Sequence, residues 1–213
     1  MDGVLEKPVT VNNTLETAEL SVLSDMLGMH ISRIFSDMRQ IAEEKAVLDM
    51  GYYVFESSAD NCFVMLKNEY RHFYKGVDYP RFSLSYTDVQ FENMKPYRSF
   101  SSAESGKKER PFVWAENRIE KRITDIMIYR DSAMWKYGEI SWEAVCDVAI
   151  KFSFENEYIM FVLDDCSSAW FVPSLRNYGQ SDDEVINRFW NREEWGCKAE
   201  NPDFFKRTVI HVE

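Results

Sequence analysis

Histidine, the side chain most often used for acid–base chemistry near neutral pH, occurs at only three positions in this chain. These positions are His30, His72 and His211. None of the spacings HxH, HxxxH or HExxH occurs, so the sequence predicts no local histidine-based metal site. We expect each histidine to have a structural role, with acid–base catalysis as the less favoured alternative.

Two pairs of adjacent acids could bind a cation or a basic partner. Asp164 and Asp165 follow a predicted strand, where adjacent residues point to opposite faces, so they are not expected to converge as a catalytic acid and base. A turn role fits this pair better, because Asp accepts hydrogen bonds from nearby backbone N–H groups. Glu193 and Glu194 precede Trp195, which predicts either a solvated loop or an acidic rim around an aromatic anchor.

Aromatic side chains outside the predicted strands and helices are the remaining candidates for recognition. Trp135, Tyr137 and Trp142 fall in a segment that is predicted to connect strands. A tryptophan in such a segment is either a lid over the core or an anchor for a partner. The candidate binding residues are therefore the aromatic residues and acids of these segments, namely Trp135, Tyr137, Trp142, Asp164, Asp165, Glu193, Glu194 and Trp195.

The cysteines do not form a recognisable catalytic or metal-binding motif. The chain has four, at Cys62, Cys146, Cys166 and Cys197, and no two have CxxC spacing. Neither a GxSxG motif nor a phosphate-binding glycine loop occurs. The sequence therefore predicts no catalytic residue, no metal and no cofactor.

The composition indicates which partners the chain attracts. It has 25 Lys and Arg residues against 36 Asp and Glu residues, a formal net charge of −11. Such a field repels nucleic acids and anionic membranes and would attract a basic protein. The alternative, which we favour, is that the acidic charge only keeps the protein soluble. The N-terminus lacks the apolar region of a signal peptide, and the longest apolar run, residues 158–163, is far too short to span a membrane. These features predict a cytoplasmic protein with reduced thiols.

The second half of the chain carries the clearest secondary-structure patterns. From Cys146 to Phe154, apolar residues alternate with polar ones, which predicts a strand with one buried face. The unbroken apolar run 158–163 predicts a strand covered on both faces, and a shorter strand follows at 170–172. Strands are also predicted at 123–129 and 208–212. Ser181 and Glu184 form a capping box that begins a helix over 181–191.

The first half indicates helices. Leu20, Leu27, Ile34, Ile41 and Leu48 recur every seven residues, which predicts one long helix or two stacked ones, broken near Gly28, with Asn13 and Glu16 as the capping box. Residues 62–74 show helical spacing and precede Gly76, and residues 81–91 alternate as in a strand. Residues 92–110 are predicted to form a long surface loop.

These elements together predict an α+β fold. An antiparallel sheet, built mainly from residues 111–172 and 208–212, is expected to carry the N-terminal helices and the helix at 181–191 on one face. One domain is expected over residues 1–213, with a possible subdivision into a helical portion at 13–91 and a β-rich portion at 111–213.

For function, the sequence favours a non-catalytic protein-binding domain, a monomer or dimer, with the role of a bacterial immunity-type inhibitor of a basic toxin. This hypothesis depends on the acidic charge, the tryptophans and the lack of a catalytic motif. One alternative is a hydrolase-like enzyme whose site assembles only in three dimensions, with His72 or His211 beside a carboxylate. Another is an oligomerisation module that uses the heptad helix.

Overall fold

A computed structural model describes the parts of the chain in which the strands and helices lie. These are residues 7–36, 40–42, 45–47, 52–72, 78–87, 115–137, 139–163, 169–173, 181–189 and 205–213.

The described residues form thirteen strands and two helices. In chain order they are β1 (Val9–Asn13), α1 (Thr17–Met26), β2 (His30–Ser36), β3 (Gln40–Ala42), β4 (Lys45–Val47), β5 (Tyr52–Ser57), β6 (Cys62–His72), β7 (Asp78–Tyr86), β8 (Ala115–Arg122), β9 (Asp125–Tyr137), β10 (Ile140–Phe154), β11 (Glu157–Leu163), β12 (Ala169–Pro173), α2 (Asp182–Phe189) and β13 (Phe205–His211).

Six of these strands form what we call the large sheet, in the order β12-β11-β10-β9-β13 with β1 added beside β10. The long strand β10 pairs with β9 along one edge. Its other edge is shared, because β1 pairs in parallel with residues 142–146 and β11 pairs antiparallel with residues 149–154. The N-terminus of the chain is therefore held by its second half.

Five further strands form the small sheet, in the order β7-β6-β5-β2-β8, with every pair antiparallel. Strands β3 and β4 pair only with each other among the described residues. The two main sheets pack face to face through aromatic side chains. The ring of Phe55 on β5 lies 4.9 Å from that of Phe152 on β10 and 5.6 Å from that of Phe161 on β11. We call this face of the large sheet its inner face, and the face opposite to it the outer face.

A two-residue corner carries the chain from the small sheet into the large one. β8 ends at Arg122 and β9 begins at Asp125. Between them, the Ile123 side chain is 1% exposed, and the Thr124 N–H donates to the carbonyl of Ser153 on β10 at 2.8 Å. Because the corner is anchored in both sheets, their relative position at this end is fixed.

The predicted α+β fold class is wrong, because the described chain is mostly strand and has two sheets and only two short helices. The N-terminal heptad does not form a long helix. α1 ends at Met26. After Gly28, Ile34 of the heptad belongs to β2 and Ile41 to β3, and Leu48 lies outside the described residues. Ile31, Ile34 and Phe35 suit a strand, because β-branched and aromatic side chains pack well on a pleated surface. Asn13 lies in β1, and the capping contact at α1 joins the Glu16 N–H to the Glu19 carboxylate at 2.7 Å.

The helix predicted at 62–74 is also wrong. Residues 62–72 form β6, which pairs with β5 on one edge and β7 on the other. Val64 and Leu66 are fully buried, whereas Phe63 and Met65 are half-buried, which is the period-two pattern of a strand. Phe63, Leu66 and Tyr70 also match a helical spacing, so the sequence allowed both interpretations.

Several predictions for the second half are confirmed. The strands predicted over residues 145–172 correspond to β10, β11 and β12, and those at 123–129 and 208–212 correspond to β9 and β13. The last helix begins as predicted, because the Ser181 N–H donates to the Glu184 carboxylate at 2.7 Å and the Glu184 N–H donates to Ser181 Oγ at 3.3 Å. β7 confirms the strand predicted at 81–91 as far as Tyr86, and residues 92–110 lie outside the described residues.

A β-bulge changes the faces of β10. The pairing with β9 shifts between Asp147 and Ala149, so Val148 is an extra residue. Cys146 therefore lies on the outer face with Ala149, and Asp147 lies on the inner face with Ile150. The prediction that Asp147 points into water is wrong: its side chain is fully buried.

Candidate functional site

An open cleft of about 260 Å³ lies at one end of the small sheet. The end of α1, the α1–β2 turn, the β5–β6 turn, the start of β2 and the end of β8 meet there, because antiparallel pairing brings the start of β2 beside the end of β5 and of β8. The cleft is smaller than the roughly 300–1,000 Å³ that small-molecule sites occupy, so it fits a single side chain better than a metabolite. Its lining residues are Asp25, Gly28, Met29, His30, Ala59, Asp60 and Arg122.

The turn between α1 and β2 forms one wall of the cleft. Gly28 has φ +82°, a left-handed conformation that glycine adopts without strain. The Gly28 N–H donates to the carbonyl of Ile123, and the Ile123 N–H donates to the carbonyl of Met29, both at 3.0 Å. Arg122 donates from its guanidinium to the carbonyl of Gly28. The wall is thus fixed to the corner between the sheets.

Two carboxylates face the cleft from different elements. Asp25 lies in the last turn of α1 and accepts a hydrogen bond from the Tyr86 hydroxyl at 2.9 Å. Asp60 lies in the β5–β6 turn and accepts one from the Ser57 hydroxyl at 2.6 Å. Among the described residues, neither carboxylate lies within 4.0 Å of a cationic side chain. A cation from outside the chain could therefore approach both.

Exposed apolar surface flanks these acids. Leu27 is 36% exposed and precedes the glycine of the turn, and Tyr86 is 47% exposed and contacts Asp25 through its hydroxyl. Tyrosine is enriched among the residues that contribute most to protein interfaces, because its ring buries a large area and its hydroxyl still finds a partner. The cleft, Leu27 and Tyr86 together form a surface that we call the cleft patch.

The hydroxyl and thiol beside the cleft remain protonated at neutral pH. Burial, the hydrogen bond to Asp25 and the negative charge of Asp25 raise the pKa of Tyr86 to about 12. Burial and the nearby Asp60 carboxylate raise the pKa of Cys62, whose Sγ lies 3.7 Å from the sulfur of Met29. A thiol reacts as a nucleophile through its thiolate, so both effects make Cys62 a poor nucleophile.

The position of Asp25 depends on how α1 is held. Arg81 on β7 is 4% exposed and pairs with Glu19 in the first turn of α1. Its guanidinium also lies 3.5 Å from the carboxylate of Glu16. At the other end of α1, the Ser24 hydroxyl donates to the carbonyl of Glu213. These contacts fix the helix at its beginning and near its end, and they fix Asp25 with it.

The sequence-predicted binding residues that the structure describes lie in strands of the large sheet and do not line this cleft. Trp142 is 6% exposed and lies in β10, directly opposite Trp135 of β9, so the prediction of a connector with exposed aromatics is wrong here. Tyr137 is also a strand residue, paired with Ile140. The remaining predicted residues lie outside the described residues: Asp164, Asp165, Glu193, Glu194 and Trp195.

A second polar group lies on the outer face of the large sheet. Strand register places Cys146, Asp131 and Arg207 in one row across β10, β9 and β13, with Asn13 of β1 continuing it. Arg207 donates to both carboxylate oxygens of Asp131, at 2.8 and 2.9 Å. The same guanidinium donates to Asp183 of α2 at 2.8 Å. This row joins the sheet to the helix that packs on it.

Two further contacts hold the first turn of α2. Lys151 donates to both oxygens of Asp182, at 2.7 and 3.0 Å, and its ammonium lies 4.1 Å from the centre of the Tyr158 ring. The Tyr129 hydroxyl donates to the same carboxylate. On the hydrophobic side of the helix, Val185 and Ile186 are buried.

His30 lies at the cleft. His211 contacts a carboxylate, with 3.2 Å between its Nδ1 and Asp125 Oδ1, but its side chain is 61% exposed on β13. The side chain of His72 lies outside the described residues. Within the described ranges no group of three or more His, Cys, Asp and Glu residues is arranged to hold a metal ion.

No family model, curated protein or solved structure matches this chain. In the part of the chain that the structure describes, neither helix has the length and apolar character needed to cross a membrane. The site is therefore interpreted from its own geometry, as a small, mixed-charge cleft with an exposed apolar rim at the end of a two-sheet β fold.

Proposed function

We propose that this protein is a non-catalytic binding protein that holds a basic polypeptide at the cleft patch. The observation that carries the proposal is the pairing of two solvent-facing carboxylates, Asp25 and Asp60, with the exposed side chains of Leu27 and Tyr86. A lysine or arginine has the matching chemistry, because its stem is apolar and its head is cationic. The arrangement is that of an interface, in which an aromatic anchor lies beside charged groups.

The charge of the whole chain supports a basic partner. A formal net charge of −11 attracts a basic polypeptide over a longer range than any single contact and speeds its association. The role that fits such a protein is an immunity-type inhibitor of a basic toxin, acting in the cytoplasm. Cys62 and Cys146 are both free thiols, which is consistent with a reducing compartment.

The chemistry of the cleft favours binding over covalent catalysis. Cys62, the thiol nearest the cleft, has its pKa raised by burial and by Asp60. The hydrolase alternative depends on an imidazole and a carboxylate, and the His211–Asp125 pair has that composition. That pair is widely exposed to water, which weakens its electrostatic coupling. The oligomerisation alternative depended on the heptad helix and loses its basis, because residues 30–36 form a strand.

The direct test is binding to a cationic probe with matched charge variants. The probe is a lysine-rich peptide labelled with a fluorophore, titrated against the full chain at low and at moderate salt. We expect Asp25→Asn with Asp60→Asn to weaken binding about tenfold, because two carboxylates that face the bound cation are lost. The control is Glu139→Gln with Glu143→Gln, which removes the same charge at the far end of β10 and should change affinity less than threefold.

A second pair of variants tests the apolar rim. Tyr86→Ala should weaken binding by about 1–2 kcal/mol, whereas Tyr86→Phe keeps the ring and loses only the hydrogen bond to Asp25. Leu27→Ala removes the other apolar side chain of the rim. Its matched control is Val209→Ala, at a side chain that is 45% exposed on β13. If both charge pairs weaken binding equally, the probe is held by net charge alone, and the cleft patch is not the site.

A further inference from the structure

The first turn of α2 is joined to the large sheet mainly by charged groups. Asp182 bonds to Lys151 and Tyr129, and Asp183 bonds to Arg207. The apolar attachment described for this helix consists of Val185 and Ile186. A short helix whose first turn is held by partly exposed ion pairs belongs to the parts of a fold that open at low free-energy cost.

The chain of charges continues from α2 through Arg207 to a buried carboxylate on β9. Asp131 is 2% exposed and is bonded to Arg207, which is also bonded to Asp183. Among the described residues, the titratable and charged groups near Asp131 are Arg207 from β13, Asp183 from α2 and Cys146 from β10. Two carboxylates from different elements thus share one guanidinium, and the one on α2 leaves when the helix moves.

We propose that α2 is a pH-dependent cover on the outer face of the large sheet, closing more tightly when Asp131 is protonated and opening more readily when Asp131 is ionised. In the closed state an ionised Asp131 is shielded from water and lies near the carboxylate of Asp183. In the open state Asp183 has moved away and water reaches this face. Opening therefore relieves the cost of the buried charge, and protonation removes that cost without opening.

The direction of the pKa shift agrees with this geometry. Burial, and to a smaller extent the Asp183 carboxylate, raise the pKa of Asp131 from 3.8 to about 6, although Arg207 acts in the opposite direction. The closed state thus keeps the proton up to about pH 6, whereas a solvated carboxyl releases it near pH 4. Between these values a rise in pH favours opening. If opening restores the ordinary pKa, the opening constant rises about tenfold between pH 5 and pH 7.

Hydrogen exchange followed by mass spectrometry measures this opening directly. The experiment records the protection of the amides of residues 181–189 at pH 5, 6 and 7, corrected for the intrinsic exchange rate at each pH. We expect protection of α2 to fall about tenfold over this range, while the core strands β10 and β11 keep their protection. An unchanged or increasing protection of α2 would overturn the proposal.

Two variants separate the role of Asp131 from that of the helix contacts. Asp131→Asn cannot ionise, so the protection of α2 should become independent of pH between 5 and 7. Asp182→Asn removes the negative charge and one of the two acceptor oxygens that bond Lys151 and Tyr129, so exchange should be faster at every pH while its pH dependence remains. The same pH dependence in Asp131→Asn as in the wild type would overturn the proposal.

A third variant keeps the test decisive if Asp131→Asn does not fold. Asp183→Asn changes a side chain that is 69% exposed, so folding is expected. It removes the like charge that helps to raise the pKa of Asp131, and the pH dependence of α2 exchange should shift to lower pH. A midpoint that stays at the wild-type value in this variant would contradict the coupling between α2 and Asp131.

Discussion

Replacing Asp147 with asparagine tests how the N-terminal strand is attached to the large sheet. The carboxylate of Asp147 is fully buried and accepts the Leu15 N–H at 2.7 Å. It also accepts two hydrogen bonds from Arg130, at 2.7 and 3.0 Å. Asparagine has almost the same shape, but it offers one acceptor oxygen and turns a donor toward one of these three N–H groups.

The expected loss of stability follows from these contacts. A hydrogen bond to a charged group contributes about 1.5–3 kcal/mol, and a buried donor left without an acceptor costs about 1–3 kcal/mol. Arg130 is 28% exposed at its side chain, so water replaces part of what it loses. We therefore expect Asp147→Asn to lower the free energy of unfolding by about 3 kcal/mol, a large share of the 5–15 kcal/mol typical of a folded domain.

Urea denaturation followed by tryptophan fluorescence and by circular dichroism measures this change. The control is the double variant Arg130→Met with Asp147→Leu, which removes the charge pair together and leaves the Leu15 N–H as the main loss. It should be less destabilised than Asp147→Asn, because no buried guanidinium is left without its carboxylate. A loss below 1 kcal/mol for Asp147→Asn would refute the view that this carboxylate holds Leu15, between β1 and α1, against the large sheet.

Two other substitutions test the cleft wall and the inter-sheet core. Gly28→Ala should cost about 1–2 kcal/mol of unfolding free energy, because φ is +82° at this residue. The added Cβ meets no atom within 4 Å, so the cost comes from the backbone alone. A neutral effect in thermal denaturation would show that the turn relaxes. Phe152→Ala should lower the free energy of unfolding by about 3–5 kcal/mol, because its fully buried ring packs on Phe55 and Phe161. The control is Val209→Ala at an exposed site, which should cost less than about 0.5 kcal/mol in the same urea titration.

The strands and last helix of the second half could be predicted because their signals are local. The alternation at 149–154, the apolar run at 158–163 and the capping box at Ser181 each depend on neighbouring residues. The bulge at Val148 could not be predicted, because an extra residue is defined only by pairing with β9. This bulge moves Cys146 to the outer face and brings Asp147 to Arg130.

The predictions for the first half of the chain failed for a different reason. A seven-residue repeat of apolar side chains fits a helix, but the same residues can also be spread over a helix and two strands separated by a turn. Leu20 lies in α1 and Ile34 in β2, and the glycine between them reverses the chain. The partners that make β2 a strand, β5 and β8, come more than fifteen residues later, so local spacing could not reveal them.

The cleft patch was missed because no motif marks it. Its residues come from α1, the α1–β2 turn, β2, the β5–β6 turn, β7 and the end of β8, and only the fold brings them together. The sequence signals that point to it are weak. The sequence predicts a break at Gly28 and has His30 as one of three histidines, but Asp25 and Asp60 have no local pattern that separates them from other surface acids.

The attachment of β1 to β10 has a consequence for how the chain folds during synthesis. The carboxylate that accepts the Leu15 N–H lies 132 residues further along the chain and is therefore synthesised later. At a translation rate of about 5–20 residues per second, this interval is roughly 7–26 s. Throughout it, β1 lacks the strand with which it pairs in the folded protein.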